Sequence, residues 1–112
     1  MTSVHRELAA GRWRELTFLE QMANVGSEVE RAIRWKEKGR PDVSMRAFER
    51  ALELLDLTVA DPGNRRRLKE LSRVRETLAD HFVFDNEYSS TDRSWQRYFH
   101  PFAYAARAAG GR

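Results

Sequence analysis

The stretch TFLEQMANVGSEVERA, Thr17 to Ala32, decides the class of fold. Its first four residues have the form of a capping box, because the Thr17 hydroxyl and the Glu20 carboxylate can each satisfy a backbone donor that a first helical turn leaves orphaned. Phe18, Met22, Val25, Val29 and Ala32 then recur at alternating spacings of four and three, which lines them along one helical face. Gly39 and Pro41 end that helix. Gly26 flanks the stripe. An interior glycine costs a helix about 1 kcal/mol against alanine, so its presence here predicts the close approach of a neighbouring helix.

Working outward, the pattern predicts a second helix from Pro41 to Ala60, stopped by the turn signal Asp61-Pro62-Gly63. Its apolar positions Phe48, Ala51, Leu52, Leu55, Thr58 and Val59, widened by Leu54 and Leu57, cover more than half the circumference at about 100° per residue. Such a helix touches neighbours on two sides. Asn64 reads as the cap of a third helix to Phe82, with Leu68, Leu71, Val74, Leu78 and Phe82 inward. Asp85 to Ser90 reads as a loop. Ser90 or Thr91 then caps a fourth helix with Trp95, Phe99, Phe102, Ala106 and Ala109 on its inner face and Pro101 as a kink.

Four amphipathic segments joined by short loops, with no alternating strand pattern, predict an all-α antiparallel up-and-down four-helix bundle over residues 17–109. A short N-terminal extension, 1–16, precedes it, with Trp13 folding back on the bundle and packing over Trp35. A flexible tail, 110–112, follows.

At 112 residues the chain is of one-domain size, enough to bury about 65% of its unfolded surface without staples. It contains no cysteine, which excludes disulfides and thiolate metal sites. Met1 to Ala10 holds no signal-peptide core, and nowhere does an apolar run approach the roughly 20 residues of a membrane span, so a cytoplasmic location is expected. Twenty basic residues stand against 17 acidic ones, a net charge of +3. All but Lys36, Lys38 and Lys69 of the cations are arginine, the side chain suited to bidentate phosphate or carboxylate contacts.

Arg93, Arg97, His100, Tyr104 and Arg107 follow the same four-three spacing on the outer face of the fourth helix, with no acidic residue among them. Arginines with an aromatic and an imidazole between them can grip phosphates and stack on bases, the chemistry of single-stranded or looped RNA binding. The run Arg65-Arg66-Arg67 sits near the start of the third helix, where the macrodipole disfavours cations. Together with helix amides, three guanidinium groups there can hold a phosphate. Arg75 falls within the apolar stripe of the third helix, so its guanidinium calls for an acidic partner, for which Glu28, Asp85 and Glu87 are candidates. Trp35 lies off the main stripe of its helix, where an exposed indole would be a binding anchor. Asp85 to Tyr88 has oxygen ligands but not the spacing of a calcium loop. No Glu-x-x-His pair, phosphate-binding glycine loop, zinc motif or nucleophile elbow occurs, so neither cofactor nor metal is expected.

Three resemblances attach to these residues. The segment Arg46 to Leu54 resembles the second helix of a tetratricopeptide repeat, but no second copy follows at a spacing near 34 residues and a solenoid is not expected. The stretch Arg75 to His81 resembles the arginine and histidine motif of HEPN ribonucleases, small helical bundles in which two copies of the motif near a dimer interface cleave RNA. That resemblance implies Arg75 and His81 as catalytic residues. His81 would accept the 2′-hydroxyl proton and Arg75 would stabilise the developing phosphorane charge. Glu76 and Val83 depart from the family's pattern. In size, class and charge the chain also resembles the basic bundle proteins that accompany bacterial reverse transcriptases in diversity-generating retroelements, which implies a basic oligomer that binds RNA and a protein partner.

The sequence therefore favours a non-catalytic, oligomeric module binding RNA or a protein partner through the fourth-helix stripe and Arg65, Arg66 and Arg67. A HEPN-like metal-independent ribonuclease and a purely structural interaction bundle are the alternatives.

Overall fold

The computed structural model of the protein describes residues 10–110, and within them four long helices alternate with short connections. α1 spans Phe18–Glu37. Its start follows from local chemistry: Thr17 Oγ1 accepts from the Glu20 amide at 3.1 Å while Glu20 Oε1 accepts from the Thr17 amide at 2.8 Å, the reciprocal capping box. Gly39, at φ +77°, turns the chain in the left-handed region that side-chain-bearing residues avoid. Pro41 then opens α2, Pro41–Ala60, at a position where a missing amide hydrogen costs nothing. A 3₁₀ segment, Pro62–Arg67, leads into α3, Leu68–Phe82. After a loop, Thr91 and Ser94 exchange amide-to-hydroxyl hydrogen bonds of 2.9 Å and start α4, Asp92–Gly110, which continues through Pro101. Residues 10–13 form a helical turn ahead of α1. No strand occurs among the described residues, so the fold is all-helical. The expectations for residues 1–9 and 111–112 lie outside the described residues.

Cross-helix contacts fix the directions. Ser44 Oγ, at the start of α2, donates to the Ala32 carbonyl near the end of α1 at 2.7 Å. The Phe48 and Phe82 rings meet at 5.2 Å, joining the start of α2 to the end of α3. Lys36 bonds Asp92, Gln96 bonds Glu30, and the Phe18 and Phe102 rings meet edge to face at 5.9 Å, so α4 runs antiparallel to α1. α1 lies between α2 and α4, and α3 packs on α2.

The core is the predicted set of stripes: Met22, Val25, Val29 and Ala32 of α1, Phe48, Ala51 and Leu55 of α2, Leu71, Val74 and Leu78 of α3, and Trp95 and Phe99 of α4 are buried. Burying each of the larger side chains contributes about 1.5–3 kcal/mol. Leu52, Leu54 and Val59 of α2 are half-buried, as the wide apolar arc of that helix requires. Gly26 explains the close passage of α4. A Cβ placed on it would stand 2.8 Å from Phe99 Cβ, inside any normal carbon contact.

A polar knot fastens the end of the molecule where α1 begins and α2 ends. Trp13 Nε1 donates to Thr58 Oγ1 at 2.9 Å, and Gln21 Nε2 donates to the Trp13 carbonyl and to Asp61 Oδ2 at 3.0 and 2.8 Å. Asn64 Nδ2 donates to Gln21 Oε1 at 2.8 Å and to the Thr58 carbonyl at 2.9 Å.

This knot corrects three expectations. Asn64 does not cap α3; its amide is recruited inward, and it is buried. The 3₁₀ turn it anchors rotates Leu68 out of the stripe to 39% exposure. Trp13 does fold back and is buried, but at the opposite end of α1 from Trp35, whose half-buried ring is covered instead by Lys38 and Arg40 at 5.0 and 5.9 Å. In α4, Ala109 is exposed rather than on the inner face where its spacing places it.

Candidate nucleic-acid interface

α4 buries Trp95 and Phe99, half-buries Tyr98 and Phe102, and turns the remaining arc outward. That arc carries Arg93, Arg97, His100, Tyr104 and Arg107, all exposed. Between the first and last of them the axis rises about 21 Å at 1.5 Å per residue. None of the three arginines has a carboxylate within 4 Å among the described residues. Most basic residues on α1 do: Arg31 pairs with Glu28, Arg34 with Glu30, and Lys36 with Asp92. Tyr104 is 67% exposed, an open aromatic face. Pro101 sits on the same exposed arc. It has no amide hydrogen, so it cannot supply the Arg97 carbonyl with its helical hydrogen bond.

The orientation of α4 brings the second cluster to the same end of the molecule. Arg65, Arg66 and Arg67 are exposed and form the last turn of the 3₁₀ segment rather than the first turn of α3, which corrects their expected placement. The Arg67 guanidinium lies 4.1 Å from the Phe18 ring centroid, a cation–π contact, and Phe18 in turn meets Phe102 of α4. Tyr98 ties the start of α3 to α4 by donating its hydroxyl to Glu70 at 2.8 Å. Burial, reinforced by the Glu70 carboxylate, pushes the Tyr98 hydroxyl far above the usual phenol range.

On the other side of α4 a groove of about 440 Å³ separates it from α1, with Phe99 and Ile33 in its floor and Arg31, Arg34, Gln96 and His100 on its rim. His100 therefore belongs both to the outward stripe and to the groove. Arg31 and Arg34 were not singled out in the sequence. The available signal was their spacing of four and three from Glu30 and Glu28, which marks a helix face but does not say that α4 will lie alongside it.

Arg75 and His81 are not brought together within the chain. Arg75 is half-exposed and its Nε donates to Asp56 Oδ1 of α2 at 2.8 Å, so its partner is Asp56 rather than Glu28, Asp85 or Glu87. That hydrogen bond raises the guanidinium pKa above its ordinary value against a smaller opposing effect of burial. The His81 side chain is only 8% exposed, and its Nε2 meets Asp92 Oδ1 at 2.9 Å. A carboxylate only accepts, so Nε2 donates. Lys36 Nζ reaches the same oxygen at 2.7 Å. Burial alone would raise the Asp92 carboxyl, but the hydrogen bonds from Lys36 and His81 outweigh it and hold the group below the usual carboxylate range.

The loop after α3 is a built structure that no periodic pattern in the sequence marks. Asp80 is buried, and its two carboxylate oxygens accept from the Glu87 and Tyr88 amides at 2.9 and 3.0 Å. No group of three or more potential metal-ligating side chains occurs among the described residues. No helix of the described residues is long and apolar enough to cross a membrane. No protein-family model matches the chain, and neither a curated protein nor a solved structure does.

Proposed function

We propose that the chain is an up-and-down four-helix bundle serving as a non-catalytic module that binds single-stranded or looped RNA. The outer stripe of α4 tracks the phosphates, and Arg65, Arg66 and Arg67 extend the track at the end of the bundle. The observation that carries this is the set of exposed arginines on α4, Arg93, Arg97 and Arg107, with no carboxylate within 4 Å among the described residues. Tyr104 and His100 between them offer flat surfaces for unstacked bases. The groove beside His100, with its apolar floor and the Arg31 and Arg34 rim, gives one splayed base a place to enter. Arg75 and His81 play no catalytic part, because each is committed to a separate carboxylate, Asp56 and Asp92.

Fluorescence anisotropy of a labelled single-stranded RNA, titrated at two salt concentrations, tests this. With three to five phosphates engaged, affinity falls about 20- to 130-fold between about 50 and 200 mM salt, since each single-strand phosphate contact adds about −0.7 to the log–log slope. The double substitution Arg93→Glu with Arg97→Glu abolishes most of the binding, whereas His81→Ala leaves it unchanged, and the RNA runs intact on a gel afterwards. Absence of binding at low salt sinks the RNA reading and leaves an acidic protein as the partner of the stripe. Cut RNA that becomes intact with His81→Ala transfers the assignment to a ribonuclease.

A further inference from the structure

Among the described residues the most exposed large apolar side chains fall in two patches of opposite charge. Of the large hydrophobic side chains exposed among the described residues, the four most open are Phe84 at 70%, Tyr104 at 67%, Tyr88 at 55% and Val83 at 47%. Tyr104 belongs to the basic stripe of α4. The other three follow α3, and two of them, Phe84 and Tyr88, border a cleft of about 650 Å³ whose rim carries Asp56, Glu76, Asp85 and Glu87 against the single cation Arg75.

The loop holds its aromatics in a fixed shape. The buried Asp80 carboxylate clamps the Glu87 and Tyr88 amides. Asn86, at φ +55°, exchanges two hydrogen bonds with the Ser90 backbone at 2.9 and 3.0 Å. The Tyr88 hydroxyl donates to Glu76 at 3.1 Å. Phe84 and Tyr88 are thus held out to solvent by a pre-organised turn, so little side-chain ordering remains to oppose an association there. Neither Asp85 nor Glu87 has a cation within 4 Å among the described residues, and no ion pair joins the acidic patch to the α4 stripe within the chain.

We infer that the acidic cleft around Phe84 and Tyr88 receives the basic α4 stripe of a second copy of this chain. Arg93, Arg97 and Arg107 would stand against Asp85, Glu87 and Glu76, with Tyr104 packing on Phe84 and Tyr88. The two patches share no residue, so the contact is heterologous: each copy offers one patch and keeps the other free, and association continues head to tail or closes into a ring. The contact is small and rich in exposed charge, hence weak and strongly salt-dependent.

Sedimentation velocity without any nucleic acid tests this independently of the RNA reading. The wild-type chain is expected to exceed its 13.1 kDa monomer mass at about 50 mM salt and to return toward it at about 500 mM, as the screening length shortens from about 14 Å to about 4 Å. Two variants, each checked for an unchanged helical circular dichroism spectrum, break one patch apiece with neutral residues: Arg93→Gln with Arg97→Gln, and Phe84→Ser with Asp85→Asn and Glu87→Gln. Each alone is expected to run as a monomer. Mixed in equal amounts at low salt, they form a complex of two chains that grows no further, because one supplies the intact cleft and the other the intact stripe. A wild-type chain that stays monomeric at low salt overturns the inference. So does a variant that self-associates as well as wild type, or a folded pair that fails to complement.

Discussion

Replacing Gly26 with alanine sets two effects of known size against each other. At an unobstructed helix position the change stabilises by about 1 kcal/mol, since glycine loses more backbone freedom on folding. At position 26 the new methyl carbon would lie 2.8 Å from Phe99 Cβ and 3.0 Å from its Cγ and Cδ1, whereas carbon atoms attract best at about 3.5–4.0 Å. Phe99 Cβ is fixed to the backbone of α4, so no rotamer change removes the overlap. α4 must move outward from α1 by several tenths of an ångström, loosening the packing of Trp95 and Phe99. Overpacking of this kind costs about 1–3 kcal/mol, which leaves a net loss of about 1 kcal/mol. For a chain of this size that lowers the thermal midpoint by about 4 °C. Gly11 supplies the control: it lies in the helical turn at 10–13, and a Cβ there meets nothing within 4 Å, so Gly11→Ala is neutral or stabilising. Urea denaturation of both variants measures the difference. If Gly26→Ala shifts the midpoint upward as Gly11→Ala does, the close approach of α4 to α1 is not what this glycine serves.

Three further expectations concern stability. Asn64→Ala leaves the buried Gln21 Oε1 atom without its donor and removes one of the two donors to the Thr58 carbonyl, which keeps the Asp61 amide, a loss of about 2 kcal/mol in urea denaturation; a loss under about 0.5 kcal/mol would show the knot to be dispensable. Asp92 has a folded pKa below its unfolded one, so its stabilisation is complete above the carboxylate range and drains away as pH falls through about 4 and lower; Asp92→Asn should flatten that acid limb of a stability-versus-pH curve. Tyr98 behaves in the opposite sense, its raised folded pKa giving stabilisation that is present below about pH 10 and lost as pH climbs above it; the alkaline slope should disappear in Tyr98→Phe.

How far the sequence carried depends on whether a feature is periodic. The four amphipathic stripes, the Thr17 capping box, the turn at Asp61 and the burden on Gly26 could all be read directly, because each is a local pattern with one inexpensive explanation. The errors cluster where a polar side chain chose a distant partner. Asn64 has the composition of a helix cap, yet its amide lies 43 positions along the chain from the Gln21 it bonds, and no local rule specifies that pairing. Arg75 looked buried on an ideal wheel, but a long flexible side chain leaves the stripe to reach Asp56. The loop after α3 is legible as a loop, but its fixed shape is not, for the same reason: that shape is imposed by Asp80, which in sequence is an ordinary acidic residue near a helix end. Of the site residues, the exposure of the α4 stripe followed from period alone, whereas its neighbours Arg31 and Arg34 needed the antiparallel placement of α1 and α4.

The distribution of paired and unpaired charge separates what the fold needs from what it merely carries. Glu28 stands within 3.6 Å of both Arg31 and Arg50, Asp56 holds Arg75, and Asp92 gathers Lys36 and His81 where three helices end. The α4 arginines join none of these groups among the described residues. Exposed ion pairs contribute only about 0–1 kcal/mol each, so the core would hold α4 whatever its outer face carried. Like charges four residues apart, such as Arg93 and Arg97, cost a helix a few tenths of a kcal/mol instead. The stripe is thus slightly unfavourable to the helix that bears it and irrelevant to the packing behind it. An anionic surface outside the chain, as in either proposal above, would offset that cost.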